Sequence, residues 1–99
     1  MDGVIPREHL AAELNRLVKR YRASGAYLFG SYARNEATAA SDIDVLVVGG
    51  PEFKPTNVFT IAEELYRTFG KQVDVYEEQE IDKDSLLYRS IMEDRVLVA

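Results

Sequence analysis

The sequence predicts a small α/β (α+β) fold: a mixed β-sheet of about four strands covered by helices. Three observations carry this. Apolar residues recur at helical spacing over residues 6–22 and again over 58–69. Short apolar runs at 26–29, 42–48, 72–76 and 96–98 read as strands. The resulting order, α, β, β, α, β, α, β, is that of a sheet with helices packed on it.

The first helix runs from Pro6 to about Arg22. Leu10, Leu14, Leu17, Val18 and Tyr21 trace one face, and most of its charges, including Arg7, Glu8 and Glu13, face solvent. Pro6 suits a first helical position and Gly25 a stop. Ala26-Tyr27-Leu28-Phe29 is a strand that ends abruptly at Gly30, and the stretch from Arg34 to Ser41 is polar and alanine-rich. Asp42 to Val48 is a buried strand stopped by Gly49-Gly50-Pro51. Only a short segment joins these two strands, so they pair antiparallel and the sheet is mixed. Thr56 is placed to cap a helix through Val58, Ile61, Ala62, Leu65 and Phe69, which Gly70 ends. Gln72 to Tyr76 is a third strand, with Asp74 between two valines, and Glu77 to Asp82 reads as a solvated acidic loop. A last helix, about Lys83 to Glu93, turns Leu87, Ile91 and Met92 inward, and Val96-Leu97-Val98 is a terminal strand.

Composition narrows the function classes. The 99 residues fit one domain over 1–99, and 46% apolar residues exclude a disordered chain. The absence of cysteine excludes disulfides and thiolate metal sites and suits a cytoplasmic protein. The start, Met1-Asp2-Gly3 and then charge at Arg7 and Glu8, lacks the basic and apolar regions of a signal peptide. No apolar run is long enough to span a bilayer. A net charge of -5 disfavours a long nucleic acid as partner, because phosphate binding needs a basic face. A basic protein, or a nucleotide screened by metal ions, fits better.

Three carboxylates need explaining. Asp42 and Asp44 lie two apart on an apolar strand, so their side chains share a face. Unpaired buried carboxylates are costly and drift toward their neutral form. A divalent cation removes the problem, and carboxylates with waters and phosphate oxygens suit Mg²⁺. Asp74 repeats the pattern. If the two strands are neighbours, three carboxylates converge and can hold two metal ions about 3.5–4 Å apart for an in-line displacement. Asp42 alone, after Ser41, would read as a turn or cap residue. Asp44 resists that reading because four apolar residues follow it.

Gly30-Ser31-Tyr32-Ala33-Arg34 follows a strand directly. Glycine permits a sharp turn and close approach to a ligand. If Ser31 opens a short helix, its N–H groups and hydroxyl face an anion such as a triphosphate. Arg34 either adds a guanidinium one turn on or pairs with an acidic neighbour. No Walker A loop or Rossmann glycine pattern is present.

The Gly30-Ser31 turn, followed ten residues on by Ser41-Asp42-Ile43-Asp44-Val45-Leu46-Val47, resembles the signature of the DNA polymerase β-like nucleotidyltransferases. The short length resembles the minimal nucleotidyltransferase (MNT) domains among them. One departure is Asn35, where such proteins often carry glycine; asparagine tolerates a left-handed backbone. The resemblance implies a polymerase β-like nucleotidyltransferase fold and an enzyme, with ATP as nucleotide donor. It implies that Ser31 and the turn's backbone, Gly30 included, bind the triphosphate; Arg34 is a candidate to join them. Asp42 and Asp44 would hold two Mg²⁺ ions, and Asp74 would complete the site as metal ligand and base. It also implies a partner: MNT domains often act as antitoxins to a helical HEPN protein, and can transfer AMP to a tyrosine on it.

Other residues carry less. His9, the only histidine, is expected on the surface rather than at a metal. Tyr66, Tyr76 and Tyr88 could stack on a base, but such tyrosines are more often structural. Two competing functions stay open. One is a non-catalytic antitoxin that neutralises its partner by covering it. The other is an antibiotic nucleotidyltransferase; those usually add a substrate-binding region, so here another chain, or a second copy in a homo-oligomer, would hold the acceptor.

Overall fold

A computed structural model describes residues 3–99. Helix α1 is Arg7–Arg20, with Leu10, Leu14, Leu17 and Val18 buried along the expected face. It ends sooner than Gly25. Arg22 takes a left-handed conformation instead, at φ 61°. Gly25 opens strand β1, Gly25–Phe29, where a Cβ would sit 2.8 Å from the carbonyl oxygen of Ala99. The glycine is therefore a close-packing residue of the sheet rather than a helix stop.

Residues Gly30–Ala33 form a single helical turn, α2. Strand β2 is Ile43–Val48, helix α3 Asn57–Phe69 and strand β3 Val73–Glu77. Thr56 precedes α3, but it has helical dihedrals and makes no side-chain cap bond, so the helix opens without the expected device. Gly70 ends α3 as expected, at φ 69°, with its N–H on the Tyr66 carbonyl. Helix α4 is Leu86–Asp94, capped by Ser85, and β4 is Val96–Leu97.

The sheet order is β3-β2-β1-β4. β1 pairs antiparallel with β2 and with β4, whereas β2 and β3 run parallel across the α3 crossover. The mixed four-stranded sheet is as predicted. Alternation along β2 divides its two faces. Ile43, Val45 and Val47 enter the main core with Leu10, Leu14, Leu17, Ile61 and Leu65 of α1 and α3. Leu46 faces the other side, in a smaller cluster with Phe29 and Ile91. That face is thinly covered. Of the residues expected inward on α4, only Ile91 is fully buried; Leu87 and Met92 stay exposed at 40% and 37%. One short helix with a single deep anchor cannot seal the sheet, and the carboxylates open on this side.

The acidic loop is also more structured than its composition suggests. Glu77 ends β3, is buried, and leads into a 3₁₀ turn at Glu78–Glu80. Its carboxylate accepts hydrogen bonds from the backbone N–H groups of Gly49, Gln79 and Glu80. A buried carboxylate with three N–H donors is a satisfied structural group.

Candidate active site

The sheet register assembles the site. Phe29 lies opposite Asp44 across β1 and β2. Asp44 lies opposite Asp74 across β2 and β3. The turn that follows Phe29 therefore lies at the same end of the sheet as both carboxylates, next to Asp44. Gly30 makes that turn at φ 70°, and a Cβ there would lie 2.4 Å from the Asp44 carboxylate oxygen Oδ2. Only glycine fits both the backbone and the space. α2 starts at Gly30, so Ser31 stands in its first turn, next in the chain to the glycine that approaches Asp44.

Asp42 differs slightly from expectation. β2 begins at Ile43, so Asp42 stands on the entering loop and is exposed, while Asp44 is half-buried. Asp42, Asp44 and Asp74 thus form a graded set: one wet, one in the strand, and one on the neighbouring strand. Asp74 accepts a long contact, 3.4 Å, from the Gln72 amide. Burial, then the Asp74 charge, then the Asp42 charge push the Asp44 carboxyl up to about 6; Arg34 opposes them.

Among the described residues, no three His, Cys, Asp or Glu side chains form a preformed metal cage. The donor set nevertheless fits a hard divalent cation. Mg²⁺ takes one or two carboxylates and completes its shell with waters and phosphate oxygens. The raised Asp44 is the electrostatic mark of carboxylates that a cation would relieve.

Arg34 is brought to the rim of the site and is occupied there. Its Nε donates to Glu36 at 2.6 Å and its Nη1 to Asp94 at 2.6 Å. Of its two alternatives, acidic pairing is the arrangement present. His9 is exposed, as expected. Tyr66 is exposed on α3, Tyr88 is half-buried on α4, and Tyr76 packs against Phe29 with ring centroids 5.9 Å apart. A hollow of about 610 Å³ between α1 and α3, lined among others by Arg20, Tyr21, Glu63, Glu64 and Arg67, contains none of Asp42, Asp44 and Asp74.

The residue that sequence reasoning missed is Arg7. Expected as a solvent-facing charge, it is half-buried and reaches across to α2. Its partners are 25 or more positions away, beyond any local pattern.

The Asp44 environment has a measurable consequence in metal-free buffer. Its folded carboxyl titrates near 6, above the ordinary value of 3.8. The folded state therefore holds this proton where the unfolded chain has lost it. The stabilisation is present below the unfolded value and is lost as pH rises from about 4 to about 6. Thermal melts in EDTA are expected to show a falling contribution over that window. Asp44→Asn should remove it, and identical pH slopes for the two proteins would contradict the assignment.

The chain matches the polymerase β nucleotidyltransferase family over residues 12–99. It is 38% identical over 96 residues to a Methanocaldococcus jannaschii protein named "Putative protein adenylyltransferase MJ0435", covering 94% of this chain and 87% of that one. It is 37% identical over 86 residues to a second protein of that organism, "Putative protein adenylyltransferase MJ0128", covering 83% of each. Among solved structures, a toxin–antitoxin complex with AMP-PNP superposes with a TM-score of 0.76 at 19% identity, over 90% of this chain and 72% of that one. A tri-AMPylated Shewanella oneidensis HEPN toxin in complex with MNT antitoxin gives a TM-score of 0.72 at 17% identity, over 95% and 72%. A structure named "Structure of putative minimal nucleotidyltransferase" gives 0.71 at 24%, over 93% and 95%. These structures share the fold. With the match spanning α1 to β4, and the Gly30 turn set against Asp44, itself opposite Asp74, the chain belongs to the polymerase β nucleotidyltransferase family.

Proposed function

We propose that the domain transfers AMP from ATP to a hydroxyl, most simply a tyrosine, of a helical HEPN-type partner, and thereby acts as an antitoxin. The observation that carries this is the register that sets Asp44 beside Asp74 and against the Gly30 turn. Asp42, Asp44 and Asp74 would hold two Mg²⁺ ions, which when bound neutralise charge developing on the phosphates. The Ser31 hydroxyl and the N–H groups of its turn would bind the triphosphate. Arg34 could join them by leaving Glu36 and Asp94, since the pair is partly exposed. Asp74 would accept the proton of the acceptor hydroxyl. The acceptor oxygen bonds to the α-phosphorus, the bond to the β-phosphate bridge breaks, and pyrophosphate leaves.

The adenylyltransferase names of the two relatives and the toxin–antitoxin setting of the structural neighbours support this reading. Charge supports it too: at net -5, the chain is suited to a basic protein acceptor rather than a nucleic-acid strand. Among the described residues no helix is long and apolar enough to cross a membrane, and we place the domain, as a single unit, in the cytoplasm.

The test is the partner's mass. The product of the adjacent reading frame is incubated with this chain, ATP and Mg²⁺. A gain of one or more AMP units is expected, localised to a tyrosine. Full neutralisation of the partner with no mass change would favour a masking antitoxin instead.

A further inference from the structure

We infer that Arg7 is a positioning residue for nucleotidyl transfer: reaching from α1, it fixes the one-turn helix that carries Ser31. This rests on the proposed role of that turn in holding the triphosphate. A four-residue helix cannot stabilise itself, because nucleation costs more than so few bonds return. Gly-Ser-Tyr-Ala is also a poor helix former at its first two positions. The placement of Ser31 must therefore come from tertiary contacts.

The carbonyls of α2 show where it comes from. Gly30 O accepts from Arg34 N, and Ser31 O accepts from Glu36 N. The remaining two, on Tyr32 and Ala33, both accept from Arg7 Nη2, at 2.9 and 3.0 Å. A cation on the last carbonyls of a helix satisfies orphan acceptors and complements their negative end. The same nitrogen lies 3.0 Å from Asn35 Oδ1. Asn35 is left-handed at φ 59°, and its side chain supplies an acceptor that a glycine at such a turn would lack. The clamp has a second jaw: the Tyr32 hydroxyl accepts from Ile5 N at 3.2 Å. Arg7 of α1 and Ile5 just before it thus hold the C-terminal half of α2, while Gly30 at its other end lies close to Asp44. A loose α2 would let Ser31 drift from the carboxylates, and displacements of about 1 Å can cost far more rate than stability.

The experiment compares Arg7→Met, which keeps an apolar stem and removes the donors, with Arg7→Lys, which restores charge and donors on a shorter reach. Mg²⁺-ATP affinity, KM for ATP, KM for the acceptor and the melting temperature are measured for each, with Ser31→Ala in parallel. Arg7→Met is expected to weaken ATP binding and raise its KM about tenfold, the scale of a lost charge-assisted bond. The acceptor KM should not move, and Arg7→Lys should recover part of the loss. If Arg7→Met does not fold, Arg7→Lys carries the comparison, with a smaller rise in the same constant. A lower melting temperature with unchanged ATP constants per folded molecule would reduce Arg7 to a structural residue. Ser31→Ala separates the two levels. Normal ATP binding by Ser31→Ala overturns the nucleotide role of the turn, and this inference with it. Weakened binding by Ser31→Ala with unaffected Arg7 variants overturns the inference alone.

Discussion

Asp42→Asn combined with Asp44→Asn is expected to lower nucleotide transfer by about a thousandfold or more, the scale on which removing transition-state charge stabilisation acts. The folded domain should survive. Asp44 is half-buried and pushed toward its neutral form by burial and by Asp74 and Asp42. Replacing two mutually repelling carboxylates by isosteric amides removes that repulsion, so melting in metal-free buffer should stay level or rise at neutral pH. Asp74→Asn makes the informative contrast. On the proposed roles it leaves Asp42, Asp44 and the Gly30-Ser31 turn to hold the triphosphate, while impairing the group proposed to take the acceptor's proton. It should lose transfer steeply yet keep appreciable Mg²⁺-ATP binding. Labelled-nucleotide transfer, equilibrium binding and thermal melts distinguish these outcomes. Substantial transfer by the folded double variant would end the metal-site reading. Equal loss of binding in both variants would reject the division of labour.

The part of this site that sequence could reveal is the part governed by local periodicity. Asp44 interrupts an apolar strand and Asp74 interrupts another, and period-2 alternation alone puts Asp42 and Asp44 on one face. The antiparallel pairing of β1 with β2, and with it the mixed sheet, followed from the short connection, and the parallel pairing of β2 with β3 across α3 completes that sheet. What sequence could not reveal depends on partners far along the chain. Glu77 reads as one acid among several until Gly49, 28 positions away, is seen donating to it. Arg7 reads as a surface charge until α2 is docked beside it. Gly25 has the look of a helix stop because its true neighbour, Ala99, is at the opposite end of the chain. Arg34 was open to two readings, and Asp94, 60 positions on, supplies the acidic partner that the structure shows.

Gly30→Ala is expected to abolish the site from the opposite direction, by geometry rather than by charge. The residue sits at φ 70°, where an L-residue is strained by about 1–2 kcal/mol. Its new Cβ would lie 2.4 Å from Asp44 Oδ2 and 3.3 Å from Asp44 Cγ. A side chain as short as aspartate can escape only by turning its carboxylate away, which takes Asp44 out of line with Asp74, or by shifting the turn that carries Ser31. Either movement dismantles the arrangement, and transfer should fall about a hundredfold or more, as misplacement by about 1 Å does elsewhere. Backbone strain alone would lower the melting temperature by several degrees in a domain of this size, at about 4–8 °C per kcal/mol, so stability cannot by itself identify the cause. Gly70→Ala supplies the control. Gly70 has nearly the same dihedral, φ 69°, but a Cβ there meets nothing within 4 Å. Both variants should melt earlier, Gly30→Ala by at least as much as Gly70→Ala because the clash adds to the strain, and only Gly30→Ala should lose transfer per folded molecule. If Gly70→Ala lost as much activity, or Gly30→Ala kept it, the close approach of Gly30 to Asp44 would have no catalytic meaning.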